Sequence, residues 1–127
     1  MIFKHLFAPF KLGHVTLRNR IVSTPHATLF GRDGYITERY IRYYEEKAKG
    51  GAALLQAFGS MSVHPTGPVD DWGGIKNWDD SSLPTFREFA ARMHQHGAHV
   101  MAQLTHRGRR GWSGPGEQAL LAPSDIP

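Results

Sequence analysis

Two short apolar runs, 52–58 (AALLQAF) and 99–104 (HVMAQL), each follow a segment of helical period that ends in glycine. Runs of this length bounded by turn signals read as strands buried on both faces, which is how strands of a parallel sheet look. The intervening segments have the 3.6-residue period. In the first, Thr37 is the expected N-cap, Glu38 lies in the first turn where the helix dipole favours an anion, and Gly50 with Gly51 stops the helix. Ile41, Tyr44 and Ala48 share one stripe, and Glu38 with Arg42 and Glu45 with Lys49 form i,i+4 pairs. In the second, Ser82 is the expected cap, Pro84 sits in the first turn, Phe86, Phe89, Ala90 and Met93 recur on one face, and Gly97 stops it.

Upstream, Phe10-Lys11-Leu12 and Val15-Thr16-Leu17 flank a turn at Gly13-His14, which predicts a hairpin. Ile21 to Thr24 is β-branched and short, and Pro25, which cannot donate to a ladder, ends it as the first core strand. Gly31-Arg32-Asp33-Gly34 is turn chemistry. A long loop is expected over 60–80, rich in Gly and Pro, and Trp72 and Trp78 argue that it is ordered. The order is hairpin, β, α, β, α, β. Strands joined through helices are parallel and cross over right-handedly. An eight-stranded β/α barrel takes about 250 residues, and here the alternation stops after a third strand. The expected fold is therefore α/β, the N-terminal portion of a (β/α)8 TIM barrel, with residues 1–127 one incomplete piece of a single domain. Such a piece exposes two sheet edges and an apolar inner face, so alone it should be marginally stable and prone to associate.

Composition narrows the function. Without cysteine there is no disulfide, thiolate zinc site, cysteine-ligated cluster or cysteine nucleophile within these residues. No apolar run approaches the roughly 18 to 20 residues of a membrane span, and no signal-peptide core is evident, so the expected compartment is the cytoplasm. The net charge of +4 raises nucleic-acid binding, yet the positive charge is spread out, and Arg107, Arg109 and Arg110 make too short a basic cluster for an arm. His94, His96 and His99 have poor spacing for a metal, because the first two point to different sides of a helix and Gly97 breaks the element before the third. Asp70-Asp71 and Asp79-Asp80 fit solvation or capping better than chemistry.

In a β/α barrel, chemistry gathers at the C-terminal ends of the strands. These ends are Thr24-Pro25-His26-Ala27, Phe58-Gly59-Ser60-Met61 and Gln103-Leu104-Thr105-His106. Small side chains beside backbone amides, plus one side-chain amide, suit a flat heteroaromatic ring with carbonyls and ring nitrogens. Each residue also has a plain reading: Gln103 can satisfy a neighbouring backbone group, Ser60 can be loop chemistry, and His26 and His106 can be ordinary strand-end polar residues.

The blocks LFAPFKLG, TLRNRIVSTPHAT, DGYITERYIRYYEEKAKGGAALL, VHPTG and HGAHVMAQLTHRGRR, in that order, resemble the Old Yellow Enzyme family of FMN-dependent NADH:flavin oxidoreductases. PHATLFGRDG, VHPTG and QLTHRGRR are most similar to the branch holding trimethylamine dehydrogenase, 2,4-dienoyl-CoA reductase and N-methylproline demethylase-like enzymes. The resemblance implies a barrel whose hairpin closes the bottom and whose FMN lies across the top. It implies that Thr24, Pro25, His26 and Ala27 line the flavin, that Ser60 approaches the ring, and that Gln103 hydrogen-bonds its pyrimidine edge. Arg109 would order the loop after the third strand.

Two residues depart from the pattern. Ala27 stands where relatives carry Thr or Cys, so any FMN is expected to be noncovalent. Ser60 replaces an aromatic associated with amine capture, which weakens a cation–π mode for the substrate. The implied activity is an NAD(P)H:flavin oxidoreductase, ene-reductase or N-demethylase/amine dehydrogenase acting on a small molecule. NAD(P)H is the expected donor, and the intact protein could form a homo-oligomer. Any iron–sulfur domain would lie beyond Pro127, as would the remaining catalytic groups, so these residues alone should bind FMN weakly or not at all. The alternative is a half-barrel binding or assembly module without catalysis, and a third reading, nucleic-acid binding through HRGRR, predicts salt-sensitive binding.

Overall fold

The computed structural model describes residues 3–67, 73–108 and 121–124 of the chain. The expected elements Asp70, Asp71, Trp72, Arg109 and Arg110 lie outside the described residues. The antiparallel hairpin β1 (Phe10–Leu12) and β2 (Val15–Leu17) pairs Phe10 with Leu17 and Leu12 with Val15. Leu17 is buried with Ala53 and Leu54, so the hairpin covers the N-terminal end of the sheet. Four further strands follow: β3 (Val22–Ser23), β4 (Leu54–Ser62), β5 (Ile75–Lys76) and β6 (His99–Thr105). All pairings among them are parallel and all run through β4. Since β6 takes one edge of β4 along both its halves, β3 and β5 share the other edge, β3 beside Leu54 and Leu55 and β5 beside Met61 and Ser62.

The helices are α1 (Glu38–Lys49) and α2 (Leu83–Gln95). Thr37 caps α1 as expected: its hydroxyl accepts from Tyr40 N at 3.3 Å and donates to the Phe30 carbonyl. Thr37→Ala should lower stability by about 1 kcal/mol, read from the midpoint of a urea titration, because both bonds end on that oxygen. The core lies between the helices and one face of the sheet, where Tyr40, Tyr44, Leu55, Ala57, Phe58, Phe89 and Met93 are buried. Phe86 is only half-buried, because the outer flank of α2 borders an open groove.

The TLRNRIV block holds the end of α1. Arg18 Nη2 donates to the carbonyls of Ala48 and Ala52, both at 3.1 Å, and Asn19 Nδ2 donates to Gly51 O at 2.8 Å. Ala48 O belongs to the last turn of α1, and Gly51 and Ala52 lie in the turn after it, so the three bonds tie the helix end to the segment before β3. Between the helices, Arg92 clasps Glu45 (Nη2 to Oε2, 2.5 Å) and Glu38 (2.7 Å). His96 lies 3.3 Å from Glu45.

Three sequence expectations change. Gly59 does not end its strand; β4 continues to Ser62 because the backbone kinks at Phe58 and resumes pairing at Met61. The loop predicted over 60–80 contains β5, which is too short to show any period. Ser82 makes no side-chain cap; its hydroxyl donates to Lys76 O at 3.0 Å, and Asp79 instead caps a 3-10 turn, Asp80–Ser82, that leads into α2.

Candidate functional site

The three expected strand ends lie side by side and point the same way. Alternation along β6 puts Met101 and Gln103 on the face away from the helices, and register places Gln56 beside Met101 and Val22 beside Leu54 on that same face. Gln56 Nε2 lies 3.6 Å from Met101 Sδ there. Val22, Thr24, Met101 and Gln103 are exposed.

β4 and β6 fall out of step at the rim. Ala57 pairs with Ala102 and Met61 with Leu104, so Phe58, Gly59 and Ser60 together face Gln103. Phe58 takes a left-handed φ of 61°. A Cβ on Gly59 would lie 2.3 Å from the His26 carbonyl carbon and 2.6 Å from Ala27 N. The glycine thus lets the segment after β3 lie directly on β4, the close backbone approach that a glycine inside a strand often marks. Thr24, Pro25, His26, Ala27, Ser60 and Gln103 are in this way gathered at one end of the sheet.

The side chains are not equivalent. His26 turns toward the helix: its Nε2 is 2.9 Å from the Tyr43 hydroxyl, and the two rings meet edge-on at 5.5 Å. It presents its backbone, and not its imidazole, to the concave side. Ala27 contributes only a methyl, with Tyr40, Phe58 and Gly73 behind it. Gln103 makes no hydrogen bond with any described residue, so its amide is free for a ligand.

Farther out, two rim loops are tied together. His106 Nδ1 accepts from Gly108 N at 3.1 Å, which places its proton on Nε2, facing Thr66 Oγ1 at 3.0 Å. Thr66 in turn meets His64 Nδ1 through both its hydroxyl (2.8 Å) and its amide (3.2 Å). The VHPTG and QLTHRG blocks thus meet in space. His94, His96 and His99 do not: His96 is engaged by Glu45, and His99 pairs in register with Leu54. Among the described residues no group of three His, Asp or Glu could hold a metal, and no helix is long and apolar enough to cross a membrane. A groove of about 320 Å³ lies on the other face of β6, lined by Met61, Phe86, Phe89, Val100, Ala102 and Leu104.

Sequence reasoning passed over Tyr40, Tyr43 and the close approach at Gly59. For Gly59 a signal existed, since a glycine within an apolar run marks a bulge as readily as a strand end. Tyr40 and Tyr43 are indistinguishable by pattern from core and surface tyrosines.

A family model described as NADH:flavin oxidoreductase / NADH oxidase matches residues 5–125. The chain belongs to this family. Over 128 residues this family member is 44% identical to the N,N-dimethylglycine/sarcosine dehydrogenase of Chromohalobacter salexigens, an alignment covering 99% of the chain and 18% of that protein. It is 46% identical over 106 residues to the multifunctional alkene reductase/demethylase OYE of Caballeronia cordobensis, covering 84% and 16%. The old yellow enzyme structure from Trypanosoma cruzi superposes with a TM-score of 0.82 at 29% identity, covering 100% of this chain and 36% of that one. The parallel sheet of this NADH:flavin oxidoreductase family member is part of a (β/α)8 barrel, and the chain spans 16–18% of the length of the two curated relatives.

Proposed function

We propose that these residues supply one part of the FMN site of a longer oxidoreductase, one incomplete piece of a single FMN-binding barrel domain. Thr24, Pro25, the His26 backbone, Ala27, Ser60 and Gln103 hold the cofactor in this reading. The observation that carries it is the free Gln103 amide opposite the β4 kink, with Ala27 and Gly59 clearing the surface beside it. This donor set fits a flat, weakly charged ring that needs close approach and directional hydrogen bonds. FMN, when bound, supplies hydride and electron transfer. The chain's residues do the holding: Gln103 donates and accepts at the ring's polar edge, and Ala27 leaves attachment noncovalent because a methyl forms no bond to the ring.

NAD(P)H is the donor in this reading, and the substrate is a small N-methylated amine or an activated alkene. Similarity to a dimethylglycine/sarcosine dehydrogenase and an alkene reductase/demethylase supports that choice. An iron–sulfur cluster would need cysteines from elsewhere, since these residues hold none.

The test is to purify the product of the whole reading frame that carries these residues. It should be yellow, release FMN intact on denaturation, and lose about tenfold in FMN affinity on Gln103→Leu, the scale of one lost directional hydrogen bond. Residues 1–127 alone should bind FMN weakly. A reading frame that stops at Pro127 and yields a colourless monomer favours the half-barrel module instead, while unchanged FMN affinity in Gln103→Leu removes Gln103 from the site.

A further inference from the structure

β4 does not run straight to the rim; it is bent there by a buried hydroxyl. Phe58 N donates to Tyr40 Oη at 2.8 Å, a bond from α1 to a strand residue held at φ 61°. Tyr40 is 2% exposed, and its ring stacks on Phe58 at 5.5 Å with 13° between planes. Burial pushes its phenol above the ordinary value, so it stays a neutral hydroxyl able to accept. Immediately after the kink come Gly59, lying on the His26–Ala27 peptide, and Ser60, facing Gln103. Without the hydroxyl, the Phe58 amide would be a buried donor with no partner, and straightening β4 to find one would move Gly59 and Ser60.

We propose that Tyr40 is a positioning residue for the cofactor rim: by accepting the Phe58 N–H it holds the kink that sets the gap between Ala27, Ser60 and Gln103. The consequence for FMN rests on the flavin reading; the consequence for the backbone does not. Tyr44 is the internal control. Its hydroxyl is buried in the same aromatic cluster, its ring stacks on Tyr40 at 5.1 Å, and it makes no hydrogen bond to the kink.

Tyr40→Phe and Tyr44→Phe are compared in the product of the whole reading frame by amide hydrogen exchange, backbone amide shifts and FMN titration. Tyr40→Phe should speed exchange at Phe58 by about tenfold over Tyr44→Phe, move the Ser60 and Gln103 amide shifts, and weaken FMN by about tenfold. Fluorotyrosine at position 40 keeps the ring and hydroxyl but weakens the acceptor, so it should shift the same readouts less and in the same direction, and it serves if Tyr40→Phe fails to fold. Equal exchange, shifts and FMN affinity in the two Phe variants would overturn the assignment. A wild-type protein that binds no FMN would end the flavin reading, and exchange at Phe58 with the Ser60 and Gln103 shifts would still decide the role of Tyr40.

Discussion

Gly59→Ala should destabilise the chain by about 3 kcal/mol, the upper end for forcing a carbon into a packed site. The clash is with backbone, at 2.3 Å and 2.6 Å, and backbone cannot rotate away as a side chain end can. Gly59 has no positive φ, so the new residue is conformationally permitted and sterics alone carry the effect. Either the segment after β3 lifts off β4 or the kink moves. A urea titration followed by circular dichroism reads the loss, and the Ala27 amide shift reads the lifting. An unchanged midpoint would mean that the close approach does not exist in solution. Domains of this size hold only about 5–15 kcal/mol in total, and one with an uncovered sheet face should sit low in that range. Gly59→Ala is therefore expected to raise the unfolded fraction to about a few per cent, roughly a hundredfold over wild type.

The acid limb of stability should run through Glu45. The Arg92 guanidinium, and after it the His96 ring, pull its carboxyl down to about 2 from the ordinary 4.5, against the burial that opposes ionisation. A carboxyl more acidic in the folded state than in the unfolded one stabilises fully above the unfolded value, and that contribution fades as pH falls from about 4.5 toward 2. Glu45→Gln should flatten this limb. Arg92→Leu should do more, because it leaves a carboxylate between α1 and α2 without its closest partner, and breaking one side of a buried pair is worse than lacking the pair. Its loss at neutral pH should exceed that of Thr37→Ala, and its acid limb should be shallower than the wild type's, since His96 and Lys49 still favour the Glu45 carboxylate and the Asp79 carboxyl is lowered by Ser81. Urea midpoints from pH 7 to pH 2.5 for the three proteins check both statements. A wild-type limb retained in Glu45→Gln would assign the acid sensitivity to another group.

Much of this architecture was legible because it rests on local patterns. The stripe of Ile41, Tyr44 and Ala48, the Thr37 cap and the glycine stops belong to a period and a chemistry visible within a dozen residues. The hairpin at Gly13-His14 is equally local. The rim residues were found because parallel strands end together, so their C-terminal residues needed no contact information to be listed as neighbours. What escaped depends on partners far along the chain. β5 has two residues and exists only because Met61 and Ser62 offer an edge. No local pattern marks Arg18 or Asn19, yet they bond carbonyls 30 to 34 positions away. The commitment of the His26 ring to Tyr43, and of Tyr40 to Phe58, follows from how α1 lies on the sheet, which no period encodes.

Among the described residues every other strand of the main sheet pairs with β4, and none of those strands pairs with another. During synthesis, the N-terminal strand β3 therefore has nothing to zip onto until some thirty more residues have emerged, and the last strand must wait for α2 to double back. Assembly of this sheet needs long closures before any of its ladders forms, which makes for a slow folder. The middle strand serves as the seed on which a nascent polypeptide must condense: β3 can join one of its edges first, and β6 takes the other once α2 has emerged.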